Sequence, residues 1–126
     1  AVESEIASLA FAVPAVKGIQ FGEGFSFSEL SGSVANDPFR VKDGKIITKT
    51  NRNGGINGGI TNGMPIYFSV VIKPTPSIFK EQDSVDITTM QNVKLKIKGR
   101  HDACIAVRAV PVVEGITALS LLDKMS

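Results

Sequence analysis

Between Thr50 and Pro65 the chain reads Thr50-Asn51-Arg52-Asn53-Gly54-Gly55-Ile56-Asn57-Gly58-Gly59-Ile60-Thr61-Asn62-Gly63-Met64-Pro65. So many glycines and side-chain amides in one run exclude a regular element there and require tight turns. Glycine has no Cβ, so it takes positive φ without strain and lets a ligand approach the backbone N–H groups. The run is therefore a candidate surface for an anion or a flat polar ring, with Arg52 and the Gly54-Gly55-Ile56-Asn57-Gly58-Gly59 stretch at its centre. Its spacing is neither the dinucleotide fingerprint nor the phosphate loop, because the following helix pattern and the Lys-Ser/Thr pair are missing. A tight loop that binds nothing is the other reading.

Around that run the pattern alternates between helix and strand. Val2, Ile6, Leu9, Ala10 and Val13 recur at spacings of three and four, which predicts an amphipathic helix from Glu3 to Val13 that Pro14 helps to end. Val16 to Phe21 reads as a strand, Gly22-Glu23-Gly24 as a turn, and Phe25, Phe27 and Leu30 alternating with serines as a short half-buried strand. Ser31 to Pro38 is loop by composition. Asp43-Gly44 between Phe39–Val41 and Lys45–Thr48 predicts a hairpin on a type I′ turn. Ile66 to Ile72 is nearly all apolar and predicts a central strand covered on both faces. Ser84–Thr88 and Asn92–Lys98 alternate, the latter with Val93, Leu95 and Ile97 on one face and Lys94, Lys96 and Lys98 on the other. A helix from about Val110 to Lys124 follows, with Pro111 in its first turn, Glu114 near the positive end of its dipole, and Val112, Val113, Ile116, Leu119, Leu122 and Met125 as a broad apolar face. The expected fold is α+β: a layered αβ fragment with mainly antiparallel strands, an N-terminal helix and a C-terminal helix, the whole of residues 1–126 being one domain.

Composition narrows the function classes. With 126 residues of which 43% are hydrophobic, there is material for one core. The 14 basic and 12 acidic residues nearly balance, so nucleic acid is not indicated as a partner and any cationic site must be local. One cysteine, Cys104, and one histidine exclude an internal disulfide and a multi-cysteine zinc site, and fit a reducing cytoplasm. Cys104 reads as a small buried hydrophobe. No apolar run approaches the ~20 residues needed to span a bilayer, and the start is acidic, so a soluble chain with no membrane partner is expected. The absence of an initiator methionine from an opening already inside a helical pattern leads us to expect a piece of something longer.

Two further segments carry chemistry. Lys73-Pro74-Thr75-Pro76-Ser77 leaves a strand end, with two prolines stiffening a stretch that offers an ammonium and two hydroxyls; the alternative is a Pro-rich connector. Gly99-Arg100-His101-Asp102 joins a guanidinium that grips phosphate or carboxylate to two groups able to move protons, with an ordinary surface turn as the alternative.

Taken jointly and in order, Pro14-Ala15-Val16-Lys17-Gly18, Gly22-Glu23-Gly24-Phe25, Thr50-Asn51-Arg52, Gly54-Gly55-Ile56, Gly58-Gly59-Ile60, Asn62-Gly63-Met64-Pro65-Ile66, Lys73-Pro74-Thr75-Pro76, Gly99-Arg100-His101-Asp102 and Arg108-Ala109-Val110-Pro111-Val112-Val113-Glu114 resemble the C-terminal part of chorismate synthase. The resemblance implies a flavin-dependent carbon–oxygen lyase that forms chorismate from 5-enolpyruvylshikimate 3-phosphate by 1,4-anti elimination of phosphate, with reduced FMN as cofactor and a homotetramer as the family's assembly. It implies FMN contacts at Pro14, Ala15, Gly58, Lys73, Pro74, Thr75, Pro76, Ser77 and Arg100, a catalytic carboxylate near the flavin at Asp102, and substrate contacts at Arg100 and Lys73. A triply anionic substrate beside an anionic reduced flavin needs fixed cations and backbone donors in a water-poor pocket. The chain departs from the family at Ala103, where proline is usual, and at Asn53 and Asn57, where Ala and Leu are common. The family's Gly-Glu-Ser-His-Gly motif, its two catalytic histidines and most of its substrate-binding arginines have no counterpart here, so the chain alone is expected to make no chorismate. Two other classes of reading are a non-catalytic anion- or nucleotide-binding module using the glycine run and the Lys94, Lys96, Lys98 face, and a structural domain that self-associates through apolar faces.

Overall fold

The computed structural model describes residues 1–99 and 104–125. Helix α1 (Val2–Ala12) buries Val2, Ile6 and Ala10, the i, i+4, i+8 stripe of one helical face. Glu3 and Glu5 in its first turn favour the positive end of its dipole. Strand β1 (Val16–Phe21) pairs antiparallel with β6 (Phe68–Ile72), with Phe21 opposite Phe68 and the two rings 5.5 Å apart. Helix α3 (Ala106–Met125) runs back along α1: Lys124 Nζ reaches Glu5 Oε1 at 2.9 Å, and Leu121 packs on the Val2–Ile6–Ile56 cluster. The core lies where α1, the inner face of the β1–β6 ribbon and the second half of α3 meet. Full burial of an Ile6-sized side chain is worth about 1.5–3 kcal/mol.

The remaining strands are three local ribbons. β2 (Phe39–Lys42) and β3 (Lys45–Thr48) flank Asp43 and Gly44, whose φ values of 51° and 73° are those of the expected type I′ turn. β4 (Ile56–Asn57) and β5 (Ile60–Thr61) turn on Gly58 and Gly59, and β7 (Gln82–Asp86) pairs with β8 (Gln91–Leu95). The α+β class, the antiparallel pairing and the two terminal helices stand as expected from sequence.

Several elements differ. Gly24–Glu29 is a 3₁₀ helix and not a strand: Ser26 and Leu30 N–H groups donate three residues back to Glu23 and Phe27 carbonyls, and the Ser28 hydroxyl donates to Phe25 O. Serines that satisfy the local backbone draw it out of a ladder. A short helix, α2 (Gly32–Ala35), sits inside the expected loop 31–38. Among the described residues β6 has only β1 as a partner, and it alternates: Phe68, Val70 and Ile72 are half-buried while Ser69 and Val71 are exposed. The ribbon β7–β8 begins and ends two or three residues earlier than its alternation predicts, because Asp86 Oδ1 accepts the Thr88 and Thr89 N–H groups and fixes the turn there. Helix α3 starts before Pro111, which therefore lies inside the helix. Cys104 is exposed, not buried.

Candidate functional site

The end of the β1–β6 ribbon nearest the C-terminus of α1 collects most of the sequence-derived candidates. Beyond the Val16–Ile72 pair one more bond forms, Lys73 N–H to Ala15 O at 2.7 Å. It draws Pro14 and Ala15 against the head of Lys73–Ser77. Ala15 takes φ 68°, a left-handed conformation that costs a non-glycine residue roughly 1–2 kcal/mol, because the chain must leave α1 and enter β1 within two residues. The register then slips between Val16 and Gly18, leaving exposed Lys17 in a bulge beside this corner. Lys17 was not among the sequence candidates. Its signal was the three-residue spacing of Val16 and Ile19, both turned inward, which a regular strand cannot give.

Lys73, Pro74 and Pro76 are exposed, and Thr75 and Ser77 are half-buried. The Thr75 hydroxyl oxygen is itself buried and has no hydrogen-bond partner among the described residues. An unmet buried hydroxyl two residues along the chain from an exposed lysine is a donor set that a phosphorylated, polar ring system such as FMN would satisfy. Between β6 and α3 runs a mainly apolar groove: Phe68, Val70 and Ile72 of β6 and Ala106, Ala109, Val110, Val113 and Glu114 of α3 line a cavity of about 280 Å³.

The glycine run lies at the other end of the same ribbon. Gly22 N–H donates to Tyr67 O, Glu23 N–H to Arg52 O and Tyr67 N–H to Gly54 O, so three backbone segments cross with no room for side chains. A Cβ on Gly22 would stand 1.9 Å from Arg52 O, and one on Gly54 2.5 Å from Tyr67 O. The loop's N–H groups do hold an anion, but it is the chain's own. Asp37, 3% exposed, accepts Thr50 Oγ1–H (2.6 Å) and Arg52 N–H (2.8 Å) on Oδ1 and Asn53 N–H (2.9 Å) on Oδ2. Burial pushes its carboxyl up, and the bonds from Thr50, Asn53 and Arg52 together with the Arg52 charge outweigh that and hold it below its ordinary 3.8. Arg52 also reaches Glu23 at 3.4 Å, and the amides of Asn53 and Asn62 both donate to Asn57 Oδ1.

Gly58 tops the β4–β5 turn, where Gly59 O accepts the Val2 N–H at the start of α1. That places it at the end of α1 opposite Pro14, about 15 Å of helix away. The structure thus brings Pro14, Ala15 and Lys73–Ser77 together and leaves Gly58 apart. Arg100, His101 and Asp102, with Ala103, lie outside the described residues. In the lysine row Lys94 pairs with Asp83, Lys96 lies over the Phe79 ring, and all three lysines, Lys98 included, are exposed. Among the described residues no helix is long and apolar enough to cross a membrane.

Comparison with known proteins gives one answer throughout. A family model described as chorismate synthase matches residues 1–126. The chorismate synthase of Thermococcus kodakarensis is 51% identical over 124 residues, covering 98% of this chain and 35% of the relative. That of Korarchaeum cryptofilum is 52% identical over 124 residues, covering 98% and 34%. A solved structure described as a crystal structure of chorismate synthase superposes with a TM-score of 0.57 at 38% identity, over 60% of this chain and 23% of that one. The chain spans about a third of the length of the curated relatives it matches.

Proposed function

Because the chain belongs to the chorismate synthase family, we propose that it supplies the flavin-facing part of a carbon–oxygen lyase site. In this reading the complete enzyme takes 5-enolpyruvylshikimate 3-phosphate to chorismate by 1,4-anti elimination of phosphate. The observation that carries the proposal is the junction of Pro14–Ala15 with Lys73–Ser77, a segment in which the Thr75 hydroxyl is buried and unmet among the described residues and Lys73 is exposed.

Reduced FMN, when bound, supplies electron density that helps the substrate expel phosphate. The chain's own residues hold and orient it. Pro74 and Pro76 fix the backbone of the segment, so little order is lost when Thr75 and Ser77 donate to a ligand. Lys73, with Lys17 in the adjacent bulge, offers positive charge to a phosphate or to the anionic substrate. The apolar groove under α3 provides a water-poor wall, which strengthens those charged contacts. Gly58 contributes from the far end of α1, and Arg100 and Asp102 complete the set as cation and catalytic carboxylate.

These 126 residues by themselves turn over no substrate in this reading, since the relatives use about three times as much chain. The test is a flavin titration of the chain, with FMN oxidised and then anaerobically reduced, followed by fluorescence. Saturable binding that Lys73→Gln weakens about tenfold, the loss of one charged hydrogen bond, is the expected result. Binding indifferent to Lys73, or chorismate formed by the chain alone, would overturn the respective claim. The second reading, a non-catalytic anion- or nucleotide-binding module, draws on the exposed Lys94, Lys96 and Lys98, whereas Asp37 already occupies the Arg52 and Asn53 N–H groups of the loop.

A further inference from the structure

Lys73–Ser77 leaves the β1–β6 ribbon with two prolines and no ladder of its own, so its outer half must be placed by something other than that sheet. The β7–β8 ribbon does this through both of its legs. Gln82 opens β7, and its side-chain Nε2 donates to Pro76 O at 3.4 Å. Opposite Gln82 in the register stands Leu95, and the next residue, Lys96, sets its ammonium 6.0 Å from the centroid of the Phe79 ring. One leg therefore grips residue 76 by a hydrogen bond, and the other grips residue 79 by a cation over an aromatic face. The register itself is carried by the backbone ladder from Gln82–Leu95 to Asp86–Gln91, with the exposed ion pair Asp83–Lys94 one step further along.

Resting on the flavin reading above, we propose that Gln82 is a positioning residue for the flavin segment, acting through the Pro76 carbonyl, and that the β7–β8 ribbon is the clip that fixes where Thr75 and Ser77 stand. Glutamine suits the task on chemical grounds. It reaches a neighbouring carbonyl while its backbone stays in the ladder, and it donates without bringing a charge beside Lys73 that would repel or capture an anionic ligand itself. Held this way, Thr75 and Ser77 meet a ligand already oriented. Without the bond, ligand binding must also order the segment, and that cost appears as lost affinity.

The experiment uses the 126-residue chain with Gln82→Met, which keeps length and strand character but removes the donor, and Gln82→Glu, which puts a carboxylate against the carbonyl. Lys94→Ala serves as a control that removes an exposed side-chain pair of the ribbon, which contributes little to the backbone ladder, and leaves the contacts to Pro76 and Phe79 in place. Two readouts are taken: amide hydrogen exchange at Lys73, Thr75 and Ser77, and the FMN dissociation constant. The expected result is exchange at Thr75 and Ser77 accelerated several-fold in both Gln82 variants, unchanged exchange at Val70 and Val71, and FMN binding weakened about tenfold, with Lys94→Ala close to the unsubstituted chain on both measures. Unchanged exchange at Thr75 and Ser77 overturns the proposal whatever flavin does. Accelerated exchange with unchanged FMN affinity also overturns it, because the segment would then be held but not for this ligand. Accelerated exchange in a chain that binds no FMN removes the flavin reading and leaves the clip standing, so the two failures are distinct.

Discussion

Asp37 shows how a single side chain replaces the ligand that a loop's composition advertises. Its carboxylate takes three donors from Thr50, Arg52 and Asn53, partners lying 13, 15 and 16 residues on. Asp37→Asn keeps the shape but turns an amide N–H toward Asn53 N–H, and is expected to lower stability by about 2 kcal/mol in urea denaturation at neutral pH. The pH dependence has a definite sign. A carboxyl held below its unfolded value stabilises the fold above that value, and the contribution fades as pH falls from about 4 through the lower folded value. The unsubstituted chain should therefore lose stability in that acid window, and Asp37→Asn should not show that component of the loss. Nothing in Asn36-Asp37-Pro38 announces this, since the donors are remote in sequence. Asp43-Gly44 was legible because its whole turn is contained in adjacent residues. The same contrast holds at the site: Lys73-Pro74-Thr75-Pro76-Ser77 is conspicuous as a string and the bulge at Lys17 leaves a trace in the Val16–Ile19 spacing, whereas Gln82 acquires meaning only from the Pro76 carbonyl beside it.

Among the elements, those with a long repeating pattern were legible and those decided by neighbours were not. The stripe of α1 and the strand β1 stand nearly as their periodicity predicts. Ile66–Ile72 reads as doubly covered because it is apolar, yet Val71 is 61% exposed and the strand has a single partner among the described residues. Apolar composition states a preference for burial and not what is there to provide it. Helix α3 was placed too late because proline is favoured in a first turn, while the helix begins at Ala106 and carries Pro111 in its interior. That position forfeits the N–H that would bond to Val107 O. Pro111→Ala is accordingly expected to raise helicity by circular dichroism and to stabilise the fold by roughly 1–3 kcal/mol. No gain in either would mean that the turn before Pro111 is held by packing against β6 alone.

At the scale of the whole molecule the balance of buried and exposed apolar surface governs behaviour. The buried apolar side chains among the described residues are Val2, Ile6, Ala10, Val16 and Ile56, while Phe39, Val41 and Ile46 line one face of β2–β3 at 58%, 77% and 72% exposure, and Val107, Leu119, Leu122 and Met125 stand out from α3. Exposed apolar area on this scale favours association. Light scattering is expected to give a mass above that of one chain and rising with concentration, and a constant monomer mass would count against the exposed faces as contact surfaces. The ribbon pairing has another consequence, in time and not in space. β2–β3, β4–β5 and β7–β8 each close over a short turn and form within microseconds of one another, whereas β1 meets β6 only after the entire stretch from Gly22 to Tyr67 has looped back. Refolding should thus wait on that one encounter, and its rate should fall with substitutions at Phe21 and Phe68 and with those that weaken the hairpins already closed when it occurs, the latter changing little how fast the chain comes apart.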